Sequence, residues 1–246
     1  MSQKTAVVTG ASAGIGEATA RRLAGAGYRV VAAARRLDRL QALATEIGGE
    51  ARRLDVTDPH SVAELAAGIE QLDLLVNNAG GALGLDPVEQ SDDERWRIMW
   101  ETNVLGLMRM TRALLPAMRA AGGGHVINVG SVSGFEVYTG GGGYTSVKHA
   151  ARAVTQTLRI ELLGEPIRIT EINPGLVETE FALVRFDGDR KRAASTYQGM
   201  TPLTGDDVAQ CIVWAAGRPT HVNIDEIVVR PLDQATVTHI HRWPTD

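Results

Sequence analysis

Thr5-Ala6-Val7-Val8-Thr9-Gly10-Ala11-Ser12-Ala13-Gly14-Ile15-Gly16 is the stretch that decides how this chain folds. Its first five residues are small or β-branched and read as a strand, Thr5–Thr9. The turn that follows carries glycines at three set positions. Gly10 permits a tight turn, Gly14 lets a pyrophosphate approach the backbone, and Gly16 lets the next helix pack close to the strand. Ser12 and Ile15 belong to the same turn. The helix then presents free N–H groups and a partial positive charge to an anion at its N-terminus.

The same alternation continues outward. Short β-branched runs lie near Arg29–Ala33, Ala51–Val56, Leu72–Asn77, His125–Val129, Ile167–Ile172 and Glu226–Arg230. Amphipathic stretches separate them: Ile15–Ala26, Asp38–Ile47, Ser61–Ile69, Asp92–Ala120, Tyr144–Leu163 and Gly205–Ala216. Strands alternating with helices predict an α/β fold, a single Rossmann-type, doubly wound, seven-stranded parallel sheet with helices on both faces. No linker, repeat or low-complexity segment interrupts it, so residues 1–246 read as one dinucleotide-binding and catalytic domain. Pro116 falls inside the longest helical pattern and is expected to kink it. Pro174 to Thr204 has no clean period and reads as a substrate lid near 176–204.

Composition excludes several classes. The 246 residues are 44% hydrophobic and 22% charged, enough for a large core. The formal charge of -4 lacks the basic excess of a nucleic-acid binder. No run approaches ~20 apolar residues, so no membrane span is expected. Met1-Ser2-Gln3-Lys4 leads straight into the first strand without the apolar core of a signal peptide. Cys211 is the only cysteine, which suits a reducing, cytoplasmic setting. The histidines form no convincing metal constellation; His239 and His241 share a face but have no third ligand.

The second strand ends in Ala34-Arg35-Arg36. A carboxylate there would hold a ribose 2′-hydroxyl, whereas an arginine accommodates a 2′-phosphate. Two arginines and no acid at the strand tip point to NADP. Asp38 fits the N-cap of the next helix. Asp55 and Val56, at the end of the third strand, are expected to lie beside the adenine, or Asp55 closes a turn.

Tyr144 and Lys148 are four residues apart and share one helix face. A phenol beside an ammonium is a general acid or base in preparation, because the positive neighbour stabilises the phenolate. The run Gly140 to Gly143 precedes them and either leaves a pocket open beside Tyr144 or forms a flexible loop.

With these residues quoted, the chain resembles the short-chain dehydrogenase/reductase family over its whole length. The shared motifs are Thr9-Gly10-x-x-x-Gly14-Ile15-Gly16, Asn77-Asn78-Ala79-Gly80, Asn103, Ser131, Tyr144-x-x-x-Lys148 and Pro174-Gly175. Within the family, the segments Leu176 to Phe181, Val184-Arg185-Phe186, Thr196-Tyr197 and the ending with His241-Arg242 are similar to the NADP-dependent 3-hydroxy acid dehydrogenases that oxidise serine or allo-threonine and reduce malonic semialdehyde. The resemblance implies hydride transfer between a nicotinamide and a carbonyl or carbinol carbon. It implies Tyr144 as proton donor and acceptor, and Lys148 as the group that lowers its pKa and holds the nicotinamide ribose. Ser131 steadies the reacting oxygen, and Asn103 holds a water that links Lys148 to solvent. Asn77, Ala79 and Gly80 border the cofactor, while Pro174, Gly175, Val177 and Thr179 bracket the nicotinamide. A small-molecule substrate and a homotetramer are also implied.

A 3-hydroxy acid needs a cation for its carboxylate, and a bidentate arginine suits it. Arg185 in the lid is the expected cation, and Tyr138 is expected to line the same pocket with Ser131 and Tyr144. The irregular tail from Leu232 is expected to make subunit contacts, with Trp243 as anchor. Two other readings stand beside this one. The first is a reductase of other aldehydes, ketones or β-ketoacyl groups. The second is a dinucleotide sensor without turnover, which the presence of Tyr144, Lys148 and Ser131 argues against.

Overall fold

The computed structural model describes residues 3–244; Met1 and Ser2 of the leading run, and the end of the domain expected over 1–246, lie outside the described residues. Seven strands form one parallel sheet: β1 Thr5–Thr9, β2 Arg29–Ala34, β3 Glu50–Arg53, β4 Leu74–Asn77, β5 Gly124–Val129, β6 Ile167–Pro174 and β7 Glu226–Val229. Their order is β3-β2-β1-β4-β5-β6-β7. The helices are α1 Gly14–Gly25, α2 Leu37–Ile47, α3 Pro59–Ala67, α4 Asp93–Trp100, α5 Gly106–Ala120, α6 Gly142–Glu161, α7 Phe181–Arg185, α8 Arg190–Ser195 and α9 Gly205–Ala216.

Strand alternation divides the core into two layers. Ala6 and Val8 of β1 pack with Leu23 of α1, Leu40 of α2 and Ile212 of α9. Val7, one residue along and so on the opposite face, packs with Leu65 of α3 and Met110 and Leu114 of α5. All of β1 is therefore buried, as a central parallel strand covered on both faces should be. From β1 the chain winds one way to β2 and later returns to β4 on the other side. Connections diverge at that point, and the divergence leaves a crevice beyond the C-terminal strand ends.

Four local expectations change. First, β3 ends at Arg53 instead of reaching Val56, because Asp55 leaves the ladder. Its Oδ1 accepts the Thr57 amide at 3.0 Å and the Thr57 hydroxyl at 2.7 Å, which closes a turn. Second, Arg36 is the N-cap of α2, without a side-chain bond, and Asp38 lies inside the first turn. There its charge complements the helix dipole. Third, the stretch Asp92–Ala120 is broken not at Pro116 but at a π-helical turn, Glu101–Leu105. Asn103 Nδ2 donates to the Met99 carbonyl at 2.8 Å, and a side chain competing for a backbone acceptor loosens the helix there. α5 continues across Pro116 to Ala120. Fourth, the lid contains two short helices, α7 and α8, in place of an irregular loop.

Candidate active site

A cleft of about 690 Å³ runs along the C-terminal strand ends, from Arg35, Arg36 and Asp55 at one end to Tyr138, Tyr144 and Arg185 at the other. Gly10, Ser12, Gly14 and Ile15 of the phosphate turn line it, as do Val56, Ala79, Gly80, Pro174, Gly175, Val177 and Thr179. Gly10 adopts a left-handed φ of 66°. Gly16 lies beneath the turn: a Cβ there would meet the Gly10 carbonyl at 2.5 Å and Asn78 Nδ2 at 2.4 Å. The turn is thus a cradle that only hydrogen can line, open above to an anion.

Arg36 and Arg35 reach the cleft from the tip of β2. Arg36 Nε donates to Ser12 Oγ at 3.1 Å, and Arg36 Nη1 donates to Glu180 at 2.7 Å. Arg39, one turn into α2, takes the other oxygen of Glu180 at 2.7 Å. Arg39 has no motif of its own, but it lies in the first turn of α2, three residues after the Arg36 N-cap. The carboxyl of Glu180 is held below the usual range by Arg39 and Arg36 together. Burial raises the Asp55 carboxyl, yet the bonds from Thr57 and the charges of Arg35 and Arg53 bring it below its usual value.

Asn77 does not face the cleft. Its Nδ2 donates to Thr111 at 3.0 Å and Asn128 at 2.9 Å, so it ties β4 to α5 and β5 inside the core. The strand period turns its neighbour to the other side, and Asn78 lines the cleft, with Nδ2 donating to the Thr9 carbonyl at 3.0 Å. Asn103 is also buried. Its Nδ2 is committed to the Gly81 and Met99 carbonyls at 3.0 and 2.8 Å, and its Oδ1 accepts the Gly81 amide at 3.3 Å. A Cβ on Gly80 would lie 2.7 Å from Asn103 Oδ1 and 3.8 Å from Lys148 Nζ, so Asn103 and Lys148 flank the same glycine.

Tyr144 and Lys148 lie on α6, as the four-residue spacing requires. Lys148 Nζ is 5.8 Å from the Tyr144 ring centroid and donates to the Val129 carbonyl at 3.0 Å. Burial lowers the Lys148 pKa to about 8. The Tyr144 phenol departs from expectation: burial holds it above the usual tyrosine range, with Tyr138 adding to the effect. The groups that favour its phenolate are the Ser131 hydroxyl and the Arg185 charge, not Lys148. Ser131 starts a short 3₁₀ turn after β5. Its amide donates to Asn173 at 3.0 Å and its Oγ accepts the Ser133 amide at 3.1 Å.

The glycine run does not open a pocket. A Cβ on Gly141 would strike the Tyr138 ring at 2.6 Å, and one on Gly143 would strike Met99 at 2.4 Å. The glycines let the start of α6 pack tightly against these side chains. Arg185, on α7, points into the cleft. Its Nε donates to the Gly84 carbonyl at 2.9 Å, and its guanidinium lies 5.5 Å from the Tyr138 ring and 5.8 Å from that of Tyr144. Its Nη2 is buried and has no partner.

Phe181 and Gln234 are among the cleft residues that escaped the sequence reading. Phe181 packs edge-on against Tyr144 at 5.4 Å and fixes its ring. Gln234 Oε1 accepts the Leu176 amide at 2.8 Å and covers Gly175 so closely that a Cβ there would lie 2.2 Å away. Phe181 sits in a quoted motif and could have been found; Gln234 carries no local signal. The tail that bears Gln234 folds onto its own lid: the Trp243 amide donates to Gly199 at 2.6 Å and Arg242 Nη2 to Thr196 at 3.1 Å. Trp243 is still 60% exposed.

A glycine cradle, a paired arginine tip and a Ser–Tyr–Lys set on one parallel sheet define a dinucleotide-dependent oxidoreductase. The chain belongs to the short-chain dehydrogenase family, whose profile matches residues 4–188. It is 58% identical to an uncharacterized oxidoreductase of Mycobacterium tuberculosis over 96% of this chain and 94% of that protein. It is 41% identical to an NADP-dependent 3-hydroxy acid dehydrogenase of Escherichia coli K12, covering 96% of this chain and 98% of that one. The closed form of a serine dehydrogenase complexed with NADP+ superposes with a TM-score of 0.92 at 41% identity, covering 97% of this chain and 99% of that chain.

Proposed function

We propose that this oxidoreductase interconverts a small 3-hydroxy acid of the serine, allo-threonine or 3-hydroxypropionate type and the matching carbonyl acid, with NADP as hydride carrier. The observation that carries the reading is Arg185. Its unpartnered Nη2 lies buried in the cleft between two tyrosine rings. A buried donor without an acceptor is costly, and a substrate carboxylate supplies the acceptor. The reacting oxygen then falls to Tyr144 and Ser131, on the same wall.

NADP is supported by the glycine cradle, by Arg35, Arg36 and Arg39 at the tip of β2 and the first turn of α2, and by the relatives that use it. When bound, it supplies or accepts the hydride. The chain's own groups handle the oxygen and its proton. Tyr144 donates its proton to the carbonyl oxygen in reduction and recovers it in oxidation. Ser131 stabilises the charge that grows on that oxygen. Arg185 supplies positive charge to the phenol, and Lys148, 5.8 Å from the Tyr144 ring, is the ammonium that would hold the nicotinamide ribose. Asn103 holds the Gly80–Gly81 backbone against Lys148.

The test is a substrate panel with two variants. Arg185→Met should raise KM for 3-hydroxypropionate about 10- to 100-fold and leave an uncharged alcohol of similar size nearly unchanged. Tyr144→Phe should cost ~10²–10⁴-fold in turnover of both. Equal effects of Arg185→Met on charged and uncharged substrates would refute the carboxylate role. A faster reaction with NAD than with NADP would refute the cofactor reading. A homotetramer in the cytoplasm is part of the same proposal. Exposed Ile160 and Leu163 on and after α6, and Val228 and Leu232 on and after β7, offer apolar surface for subunit contacts, and sedimentation velocity reads the tetramer directly.

A further inference from the structure

On the α6 side of the sheet, behind Ser131 and Lys148, lies a second group of charges to which, Lys148 apart, the reaction above gives no task. Its centre is Glu171 on β6, 1% exposed and the only buried carboxylate among the described residues. Glu171 pairs with Asn128 in the β5–β6 ladder. It lies against Gly130, the residue between Val129 and Ser131: a Cβ there would come within 2.9 Å of Glu171 Oε1. Lys148 and Arg152 stand one helical turn apart on α6, the helix that covers this strand. Arg152 Nε is 3.9 Å from Glu171 Oε2, and Lys148 Nζ is bonded to the Val129 carbonyl. From β6 itself, Asn173 faces the carboxylate. From β7, Glu226 takes Arg152 Nη2 at 2.7 Å, and beyond it Arg230 pairs with Glu136. Four buried polar atoms in this group have no hydrogen-bond partner: Glu171 Oε2, Arg152 Nε, Asn173 Nδ2 and Arg230 Nε.

Such a group is a poor device for stability. Burying ions costs more than imperfect pairing returns, and an uncharged side chain of the same shape would serve packing as well. The carboxylate is better explained by what it does to the charges beside it. We propose that Glu171 is a positioning residue for Lys148: it supplies the counter-charge that keeps Lys148 an ammonium at the floor of the cleft, and Arg152 fixes the carboxylate in place. The inference rests on the role given to Lys148 above. Burial pushes Lys148 down and Glu171 opposes that push. Burial also raises the Glu171 carboxyl, and Glu226 adds to this, while Asn173, Arg152 and Lys148 favour its ionised form. On the cleft side the neighbouring ionisable groups are Tyr144, Tyr138 and Arg185, none of which supplies a negative charge at neutral pH.

The sign follows. Removing a negative neighbour lowers an ammonium's pKa, so less Lys148 is charged at neutral pH. The chain's lysines are Lys4, Lys148 and Lys191, so three signals appear in a protein labelled with ¹³Cε-lysine, and a Lys148→Met sample assigns the one that matters. Titrated by NMR, the Lys148 midpoint should fall by ~1 pH unit in Glu171→Gln. It should fall less in Glu171→Asp, which retains the charge one methylene further back. The alkaline limb of kcat/KM for hydroxy-acid oxidation should move with it. An unmoved Lys148 midpoint in folded Glu171→Gln overturns the proposal even if Tm drops, because lost stability alone is what a packing role would give. If Glu171→Gln does not fold, Glu171→Met, which removes the charge at similar volume, gives the same reading, and an unmoved midpoint there overturns the proposal. A midpoint that moves without the kinetic limb supports the Glu171 assignment and refutes the part given to Lys148 in the reaction.

Discussion

His125 on β5 shows how one buried residue ties stability to pH. Its Nε2 bonds the Thr170 hydroxyl at 2.7 Å and its Nδ1 has no partner. Burial, with the Arg168 charge, lowers its pKa to about 3. The unfolded chain takes up this proton near the ordinary histidine value of ~6.5. Between those limits the unfolded state binds more protons, so stability rises with pH, and it is lost as pH falls below ~6.5. Stability from urea unfolding, followed from pH 7 down to pH 4, should therefore decline more steeply in the wild type than in His125→Gln. The difference in slope should be at most ~1.4 kcal/mol per pH unit. Parallel curves would show that His125 is not neutral in the fold. At this scale the legible residues were those whose spacing alone fixes geometry. Tyr144 and Lys148 share a face because a helix has 3.6 residues per turn. Asn77 and Asn78 were not separable in role, because a strand's period alternates sides without saying which side is the cleft.

Among the elements, the turn from β1 into α1 is the most constrained. A methyl on Gly16 would collide with the Gly10 carbonyl at 2.5 Å, a backbone atom that cannot rotate away. Gly16→Ala should push the start of α1 outward and misaim the N–H groups that face the phosphate. Affinity for NADP should fall at least ~10-fold by calorimetry, and Tm should drop with an overpacking cost of ~1–3 kcal/mol. Unchanged affinity would mean that α1 does not hold the cofactor. The π-helical turn at Glu101–Leu105 shows the limit of reading elements from pattern. Its apolar spacing suits a continuous helix, and only the Asn103 bond to the Met99 carbonyl reveals the break.

For the whole molecule, the lid and the tail are one unit. Asp233 holds both: its Oδ2 accepts the Thr201 amide at 3.0 Å, its Oδ1 the Trp243 indole at 3.2 Å, and its carbonyl the His241 amide at 2.8 Å. Arg242 and Trp243 then grip residues 196–199 of the lid. Asp233→Ala should loosen this strap. Amide exchange across 196–201 should quicken, and KM for the hydroxy acid should rise several-fold while the Kd of NADP stays near its original value. Exchange at the wild-type rate would remove the strap from the account. The lid's placement over Tyr144 then depends on contacts spanning more than 30 residues of chain.

Ser131 was legible only through the family resemblance, whereas the order of strands and helices, the phosphate turn, the arginine tip at Arg35 and Arg36 and the shared face of Tyr144 and Lys148 were legible in the sequence by itself. Each is written in local periodicity or in residues a fixed distance apart, and local geometry converts such distances directly into position. Tertiary structure alone decided that the glycine run packs against Tyr138 and Met99, that Gln234 seals Gly175, that Glu180 spans Arg36 and Arg39, and that Glu171 lies beneath the Ser131 turn facing Arg152. These contacts join residues with no fixed separation along the chain. Their energies come from burial and unscreened charge, which exist only after the sheet and its covering helices have excluded water.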